Sequence, residues 1–125
     1  MRYTYLILFC IISLCSAQRA VGYYPYWVQN TFQSYDLDLE TFTHINHAFA
    51  WPNEEGGIEA TAGMFDPSIA DHIHNNNRKF LLSLGGWGHT DGFVASTSTQ
   101  ALRSVFISNI IDKIIAYAYD GVDID

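Results

Sequence analysis

The chain has 125 residues, of which 49% are hydrophobic, and it carries a formal net charge of −7. This length and composition are sufficient for one domain with a buried core, and no repeat, linker or low-complexity segment divides the sequence. Only 6 Lys and Arg residues stand against 13 Asp and Glu residues, which argues against nucleic-acid binding because phosphate recognition needs clustered positive charge.

Residues 1–17 have the three-part pattern of a secretory signal peptide. Arg2 supplies the positive start, residues 5–14 form a short apolar run, and small residues precede Gln18. The run is short for a membrane span, and an uncleaved signal anchor is the alternative. Both cysteines of the chain lie in this segment. We therefore expect a secreted, extracellular domain without disulfides and without a membrane partner, stabilised by burial of apolar side chains.

Strand and helix signals alternate along the rest of the chain. Residues 19–24, ended by Pro25, predict a first strand, and the aromatic and β-branched residues 42–51 predict a second. Residues 28–41 between them have a weak pattern that favours a partly helical segment. Asp66-Pro67 is a typical helix start, and the asparagines at 75–77 can end that helix.

The second part of the chain repeats this order. Residues 79–84 form an apolar run typical of a strand covered on both faces. Thr97 and Gln100 have the spacing of a capping box ahead of a helix at 102–115, and a fourth strand begins near Gly121. The alternation favours an α/β fold of parallel strands with crossover helices.

Polar and aromatic residues follow these strands at their carboxyl ends, where parallel folds gather functional groups. Asp123 and Asp125 are two positions apart, so strand geometry places both side chains on one face. Aromatic faces beside carboxylates suit a sugar-binding cleft, because pyranose rings present C–H faces while their hydroxyl groups need hydrogen-bond partners. The candidates at the three strand ends are Tyr23, Tyr24, Tyr26 and Trp27, then Ser83, Gly85, Gly86 and Trp87, then Asp120, Asp123 and Asp125.

These residues resemble the two signatures of the family 18 glycoside hydrolases, the chitinase family. The family has Ser-x-Gly-Gly on its third strand and Asp-x-x-Asp-x-Asp-x-Glu on its fourth, and residues 83–86 and 120–125 correspond to them. Residues 21–27 on the first strand and 48–50 on the second also resemble family members. The resemblance covers nearly all of residues 18–125, in the family's order and spacing.

The resemblance implies a fold, an activity and a ligand. The family fold is a (β/α)8 TIM barrel, of which residues 18–125 would be the N-terminal half, ending within the catalytic strand motif. Family members hydrolyse β-1,4 linkages between N-acetylglucosamine units with retention, and the acetamido group of the substrate serves as nucleophile. The implied partner is chitin or its oligosaccharides, with no metal or organic cofactor, and we expect a monomer.

The resemblance also implies roles for single residues. A glutamate two positions after Asp125 would protonate the glycosidic oxygen, and without it we expect the chain as given to be inactive. Asp125 would share that proton and hold the acetamido group, and Asp123 would be its buried partner. Tyr23, Ser83 and Asp120 would support this carboxylate cluster, with Asp120 in a structural role near the start of the strand. Four residues would bind the sugar, namely Phe49, Gly85, Gly86 and Trp87.

The chain departs from the family at Ala118. The family often has Gly where this chain has Ala118, and glycine readily takes the left-handed conformation that ends a helix there.

His72 and His74 are two apart on a predicted helix, so they point to different faces and form a poor metal pair. We therefore interpret the histidines as structural.

Two alternatives to the hydrolase remain open. A chitinase-like lectin on the same fold would bind sugar through Tyr23, Phe49 and Trp87 without cleaving it, with a neutral residue in place of the acid. A truncated product without function would expose unpaired strand edges and would not unfold cooperatively.

Overall fold

A computed structural model describes residues 18–125 of the chain, and the predicted signal peptide at residues 1–17 lies outside them. Among residues 18–125, no helix is both long and apolar enough to cross a membrane. The strands are β1 (Val21–Pro25), β2 (His44–Pro52), β3 (Ile58–Ala60), β4 (Lys79–Leu84) and β5 (Gly121–Ile124). The helices are α1 (Pro67–Asn75), α2 (Asp91–Thr97) and α3 (Gln100–Ala116).

Four of the strands form a parallel sheet in the order in which they follow one another along the chain. The order is β1-β2-β4-β5, and β3 returns antiparallel beside β2. The helices lie in the crossovers, α1 between β3 and β4 and α2 and α3 between β4 and β5. The predicted α/β fold with parallel strands is confirmed, and its sequential strand order is that of half an eight-stranded barrel.

The two faces of the sheet differ in chemistry because side chains alternate along each strand. One face is apolar and packs against the helices, and its buried strand residues include Ile45, Phe80 and Leu82. Ile73 of α1 and Phe106 of α3 belong to the same core. The opposite face, here called the polar face, carries Tyr23, Asn46, Ser83 and Asp123, which the strand registers align.

One of the two predicted helix caps forms in the structure, and the other is replaced by a neighbouring residue. The Asp66 carboxylate accepts the backbone N–H of Ser68 at 2.9 Å, as the predicted start of α1 requires. The predicted capping box at Thr97 is wrong, because Thr97 ends α2 and its hydroxyl donates to the Phe93 carbonyl. Thr99 caps α3 instead by accepting the N–H of Leu102 at 3.2 Å.

Two short elements, β3 and α2, have no counterpart among the predicted ones. The strand predictions at 19–24 and 42–51 each lie within two residues of β1 and β2. The weakly patterned residues 28–41 contain only one further turn of 3-10 helix, Ser34–Asp36, after the turn at Tyr26–Val28. Short elements have too few residues to show a periodicity, so tertiary contacts decide them.

His47 lies fully buried on the apolar face, and its ring is satisfied on both sides. Its Nε2 lies 2.5 Å from the side-chain amide nitrogen of Gln29. Its Nδ1 lies 2.7 Å from the Tyr119 hydroxyl. Burial lowers the pKa of His47 to about 4 and raises that of Tyr119 above its ordinary value. The structural interpretation of the histidines therefore fits the surroundings of His47.

We expect the protein to lose stability as the pH falls from about 6.5 to 4. In this range the unfolded chain binds a proton at His47 and the folded chain does not, which costs about 3 kcal/mol of unfolding free energy. His44, whose pKa is also lowered by burial, adds to the same loss. Urea unfolding of the wild type and of His47→Gln at pH 7 and pH 4.5 measures the effect. An equal loss in both proteins would contradict it.

Ala118 adopts the left-handed conformation expected at this position, with φ of 54°. Ala118→Gly should stabilise the protein by about 0.5–1 kcal/mol, because glycine takes this conformation without steric cost. Ala116→Gly at the last residue of α3 is the matched control and should destabilise by a similar amount. Urea unfolding of both variants checks the pair, and a loss of stability in Ala118→Gly would refute the argument.

Candidate active site

Three predicted site residues meet on the polar face. The Tyr23 hydroxyl donates to Asp123 Oδ2 at 2.9 Å, and the Ser83 hydroxyl donates to the same oxygen at 2.7 Å. Ser83 stands opposite Asp123 in the register of β4 and β5, whereas Tyr23 reaches across from β1. We call Tyr23, Ser83 and Asp123 the carboxylate cluster. Two hydroxyl donors thus satisfy one oxygen of Asp123.

The surroundings of Tyr23 in the carboxylate cluster change the acidity of its phenol. Burial raises the pKa of its phenol above the ordinary value, and the hydrogen bond to Asp123 and the charges of Asp123 and Asp125 raise it further. The Asn46 side chain acts in the opposite direction and lowers it. Tyr23 therefore remains a neutral hydrogen-bond donor at any physiological pH.

Asp125 and Asp120 lie outside this hydrogen-bonded cluster. The side chain of Asp125 is exposed, and its charge is felt at Tyr23. The backbone N–H of Asp125 donates to the Leu84 carbonyl at 2.9 Å, which continues the pairing of β5 with β4. Asp123, predicted to be its buried partner, is only partly buried.

The grouping of Asp120 with the carboxylate cluster is corrected by the structure. Asp120 precedes β5, at the opposite end of the strand from Asp125, and binds Lys79 Nζ at 2.6 Å and His74 Nε2 at 2.8 Å. It also accepts the backbone N–H of Phe80 at 2.8 Å. Burial raises the pKa of Asp120, but these hydrogen bonds outweigh burial and hold it below its ordinary value. Asp120 therefore joins α1 and β4 to the start of β5, and these hydrogen bonds go to α1 and β4 rather than to the carboxylate cluster.

An aromatic groove of about 260 Å³ lies at the carboxyl ends of the strands. The four residues predicted to bind sugar, Phe49, Gly85, Gly86 and Trp87, all line it. The ring of Phe49 lies 5.9 Å from that of Tyr23, so the groove adjoins the carboxylate cluster. The other lining residues are Tyr26, Trp27, Trp51, Thr61 and His89.

Trp51 and His89 are groove residues that the sequence analysis did not select. Their rings stack with centroids 4.2 Å apart, although Trp51 belongs to β2 and His89 follows β4. Trp51 is the aromatic residue nearest the end of β2, and strand-end position was the signal that could have identified it. Tyr26 and Trp27, candidates at the end of the first strand, also line the groove, and the ring of Trp27 stacks on Phe49 at 6.3 Å.

Two glycines after β4 allow the chain there to approach its neighbours closely, Gly85 toward the end of β5 and Gly86 toward the Phe49 ring. Gly85 has φ of 123°, and a Cβ there would lie 2.3 Å from the carbonyl oxygen of Asp125. Gly86 has φ of 86°, and a Cβ there would lie 2.9 Å from the Phe49 ring. Both positions thus need glycine for backbone conformation and for space.

The site offers one carboxylate with two hydroxyl donors beside stacked aromatic faces, an arrangement that can bind a neutral polar ring. Within residues 18–125, no group of three or more His, Cys, Asp or Glu side chains is placed to hold a metal ion.

Comparisons with known proteins agree on one family. Residues 19–125 match the family described as Glycosyl hydrolases family 18. A chitinase-like effector from Moniliophthora roreri is 30% identical over 112 residues, covering 87% of this chain and 27% of that protein. Chitinase A1 from Niallia circulans is 27% identical, covering 86% of this chain and 23% of that protein. The chain spans about a quarter of the length of these curated relatives.

A solved structure agrees with the fold and the family. The Group IV chitinase of Ostrinia furnacalis, in complex with allosamidin, superposes with a TM-score of 0.75 at 28% sequence identity. The superposition covers 84% of this chain and 32% of that chain.

Gly86→Ala should destabilise the protein more than Gly88→Ala. Both glycines have nearly equal positive φ values, 86° and 89°, but only a Cβ at Gly86 meets the Phe49 ring, since Gly88 has nothing within 4 Å. Each variant loses about 1 kcal/mol from the backbone, and Gly86→Ala loses about 1–3 kcal/mol more from the clash. Urea unfolding gives the difference, and equal losses would show that Phe49 does not constrain Gly86.

Proposed function

Because this chain belongs to glycosyl hydrolase family 18, we propose that it acts in the hydrolysis of β-1,4 linkages between N-acetylglucosamine units, as in chitin. The observation that carries the proposal is the position of the carboxylate cluster beside the aromatic groove, with Phe49 between them. A sugar ring stacked in the groove would present its polar groups to the Asp123 side of the site.

The proposed reaction proceeds with retention, and the acetamido oxygen of the substrate attacks the anomeric carbon. Asp125 would hold the acetamido N–H and stabilise the positive charge that develops on that group. The hydroxyl groups of Tyr23 and Ser83 would hold Asp123 in place beside Asp125. The family motif assigns protonation of the glycosidic oxygen to a glutamate two positions beyond Asp125, so residues 18–125 would supply binding and charge stabilisation.

Substrate binding would rest on aromatic stacking. The Trp87 side chain is fully exposed at the groove, where the face of a pyranose ring can cover it. Phe49 and Trp27 stack on each other within the same groove. We further propose that the protein is secreted through the signal peptide at residues 1–17, acts as a monomer and binds neither nucleic acid nor a membrane.

Chitin binding without hydrolysis is the second candidate function. The observation that favours it is that the aromatic groove, with its exposed Trp87, is lined by residues between positions 26 and 89, so that stacking on a sugar ring does not require Asp123 or Asp125. One of the similar proteins is itself described as a chitinase-like effector.

Titration with N-acetylglucosamine hexamer, combined with product analysis by proton NMR, separates these functions when the protein tested includes the position two residues after Asp125. The hydrolase should bind the hexamer and release products that carry the β anomer first. Binding without any product would support the lectin alternative. Neither binding nor cooperative unfolding would support the product without function and would end both proposals.

Trp87→Ala tests whether binding uses the aromatic groove. The variant should bind the hexamer about tenfold more weakly, which corresponds to about 1.4 kcal/mol, with unchanged stability because Trp87 contacts solvent in the free protein. Tyr35→Ala removes another exposed aromatic side chain, outside the groove, and should bind as the wild type does. Equal affinities of all three proteins would place the ligand elsewhere.

A further inference from the structure

A pocket outside the site described above adjoins the aromatic groove, and we call it the second pocket. It has a volume of about 510 Å³ and shares two lining residues with the groove, Trp51 and Thr61. No residue of the carboxylate cluster lines it, and none of its lining residues belongs to the edge strands β1 and β5. The second pocket is therefore an extension of the groove along β3 and α3. Its remaining lining residues are 58–60, 62–63, Phe65, Lys113 and Tyr117.

Contacts within residues 18–125 hold the two walls of the second pocket together. One wall is β3, which pairs with the end of β2 and places Glu59 opposite Trp51. The other wall is the C-terminal part of α3. The Asn109 amide of this helix donates to the Gly56 carbonyl, in the turn between β2 and β3, at 2.9 Å. The pocket is therefore formed before any ligand binds, which reduces the entropy lost on binding.

Lys113 is held in the second pocket by aromatic rings. Its Nζ lies 4.7 Å from the centroid of the Phe65 ring and 5.6 Å from that of the Tyr117 ring. These two rings stack on each other with centroids 4.7 Å apart. Both ion pairs within residues 18–125 involve Asp120, so no carboxylate in this part of the chain pairs with Lys113. An ammonium group has three N–H donors, and attraction to the ring faces leaves donors for a ligand.

Glu59 supplies an acceptor in the same pocket. Its Oε1 accepts the Asn53 side-chain N–H at 3.0 Å, which orients the carboxylate and leaves its other oxygen for a ligand. The second pocket thus presents one positive and one negative group, and their charges balance. A balanced pair favours a neutral ligand with both acceptors and donors over an anion or a cation. N-acetylglucosamine is such a ligand, because its acetamido carbonyl accepts hydrogen bonds and its hydroxyl groups donate them.

We propose that the second pocket binds a further N-acetylglucosamine unit of the oligosaccharide that lies in the aromatic groove. The oligosaccharide crosses from the groove to the pocket over Trp51 and Thr61. Lys113 donates to an acetamido carbonyl, and Glu59 accepts from a hydroxyl group. Only an oligosaccharide long enough to reach both places gains affinity from the pocket, because the groove then holds the next unit at a high effective concentration. The inference rests on the proposed function, since it takes the ligand of the groove to be an N-acetylglucosamine chain.

Affinities for a trimer and a hexamer of N-acetylglucosamine test the inference. Stopped-flow tryptophan fluorescence of the full-length protein measures binding before the oligomer is cleaved, because three tryptophans line the groove. Lys113→Met keeps the length of the side chain and removes its charge. It should bind the hexamer about fivefold more weakly and the trimer as tightly as the wild type does. Lys113→Arg, which keeps the charge, should restore hexamer binding to within about twofold of the wild type.

Arg103→Met is the matched control, because it removes a positive charge from the same helix outside both pockets. It should bind both oligomers as the wild type does. An unchanged hexamer affinity in Lys113→Met, or equal weakening of trimer and hexamer, would overturn the second pocket as a sugar site. Weakening of both oligomers by Trp87→Ala with no effect of Lys113→Met would refute this inference alone. A wild type that binds neither oligomer would refute the proposed function as well.

Discussion

The hydrogen bond from Tyr23 to Asp123 joins residues that are 100 positions apart, on the first and last strands of the parallel sheet. It can form only if every register between these strands holds, with Tyr23 opposite Asn46 and Ser83 opposite Asp123. A slip of one residue in any pair would turn the side chains of one strand to the helix-covered face. The candidate site therefore depends on the apolar core on the other side of the same sheet.

Two adjacent buried polar residues of β2 face opposite sides of the sheet and differ in whether their polar atoms have hydrogen-bond partners. His47 faces the core, and both ring nitrogens have partners, so its burial costs stability mainly below about pH 6.5, where the unfolded chain gains a proton at this ring and the folded chain does not. Asn46, the preceding residue, faces the carboxylate cluster, and one of its polar atoms has no partner among residues 18–125. The unsatisfied residue lies at the site and the satisfied one lies in the core, as is common when a fold gives up some stability for function.

The close approach of backbone to side chain at the strand ends shapes the groove. Gly86 brings the loop after β4 against the Phe49 ring, and Phe49 in turn lies between the groove and Tyr23. Gly85 leaves space for the carbonyl of Asp125 at the end of β5. Gly85 and Gly86 thus let the chain after β4 approach both the backbone at the end of β5 and the Phe49 ring of the groove, which side chains with a Cβ would prevent.

The sequence by itself determined the features of the fold that depend on residues close to one another along the chain. The alternation of strands and helices and the shared face of Asp123 and Asp125 follow from side-chain spacing. The left-handed conformation of Ala118 was implied by the resemblance to the family, which often has Gly at this position. Only the tertiary structure decided that Asp120 binds His74 and Lys79, that Trp51 meets His89, and that β3 and α2 form. These features join residues from different elements or span few positions, so no local periodicity records them, and contacts across the fold select them.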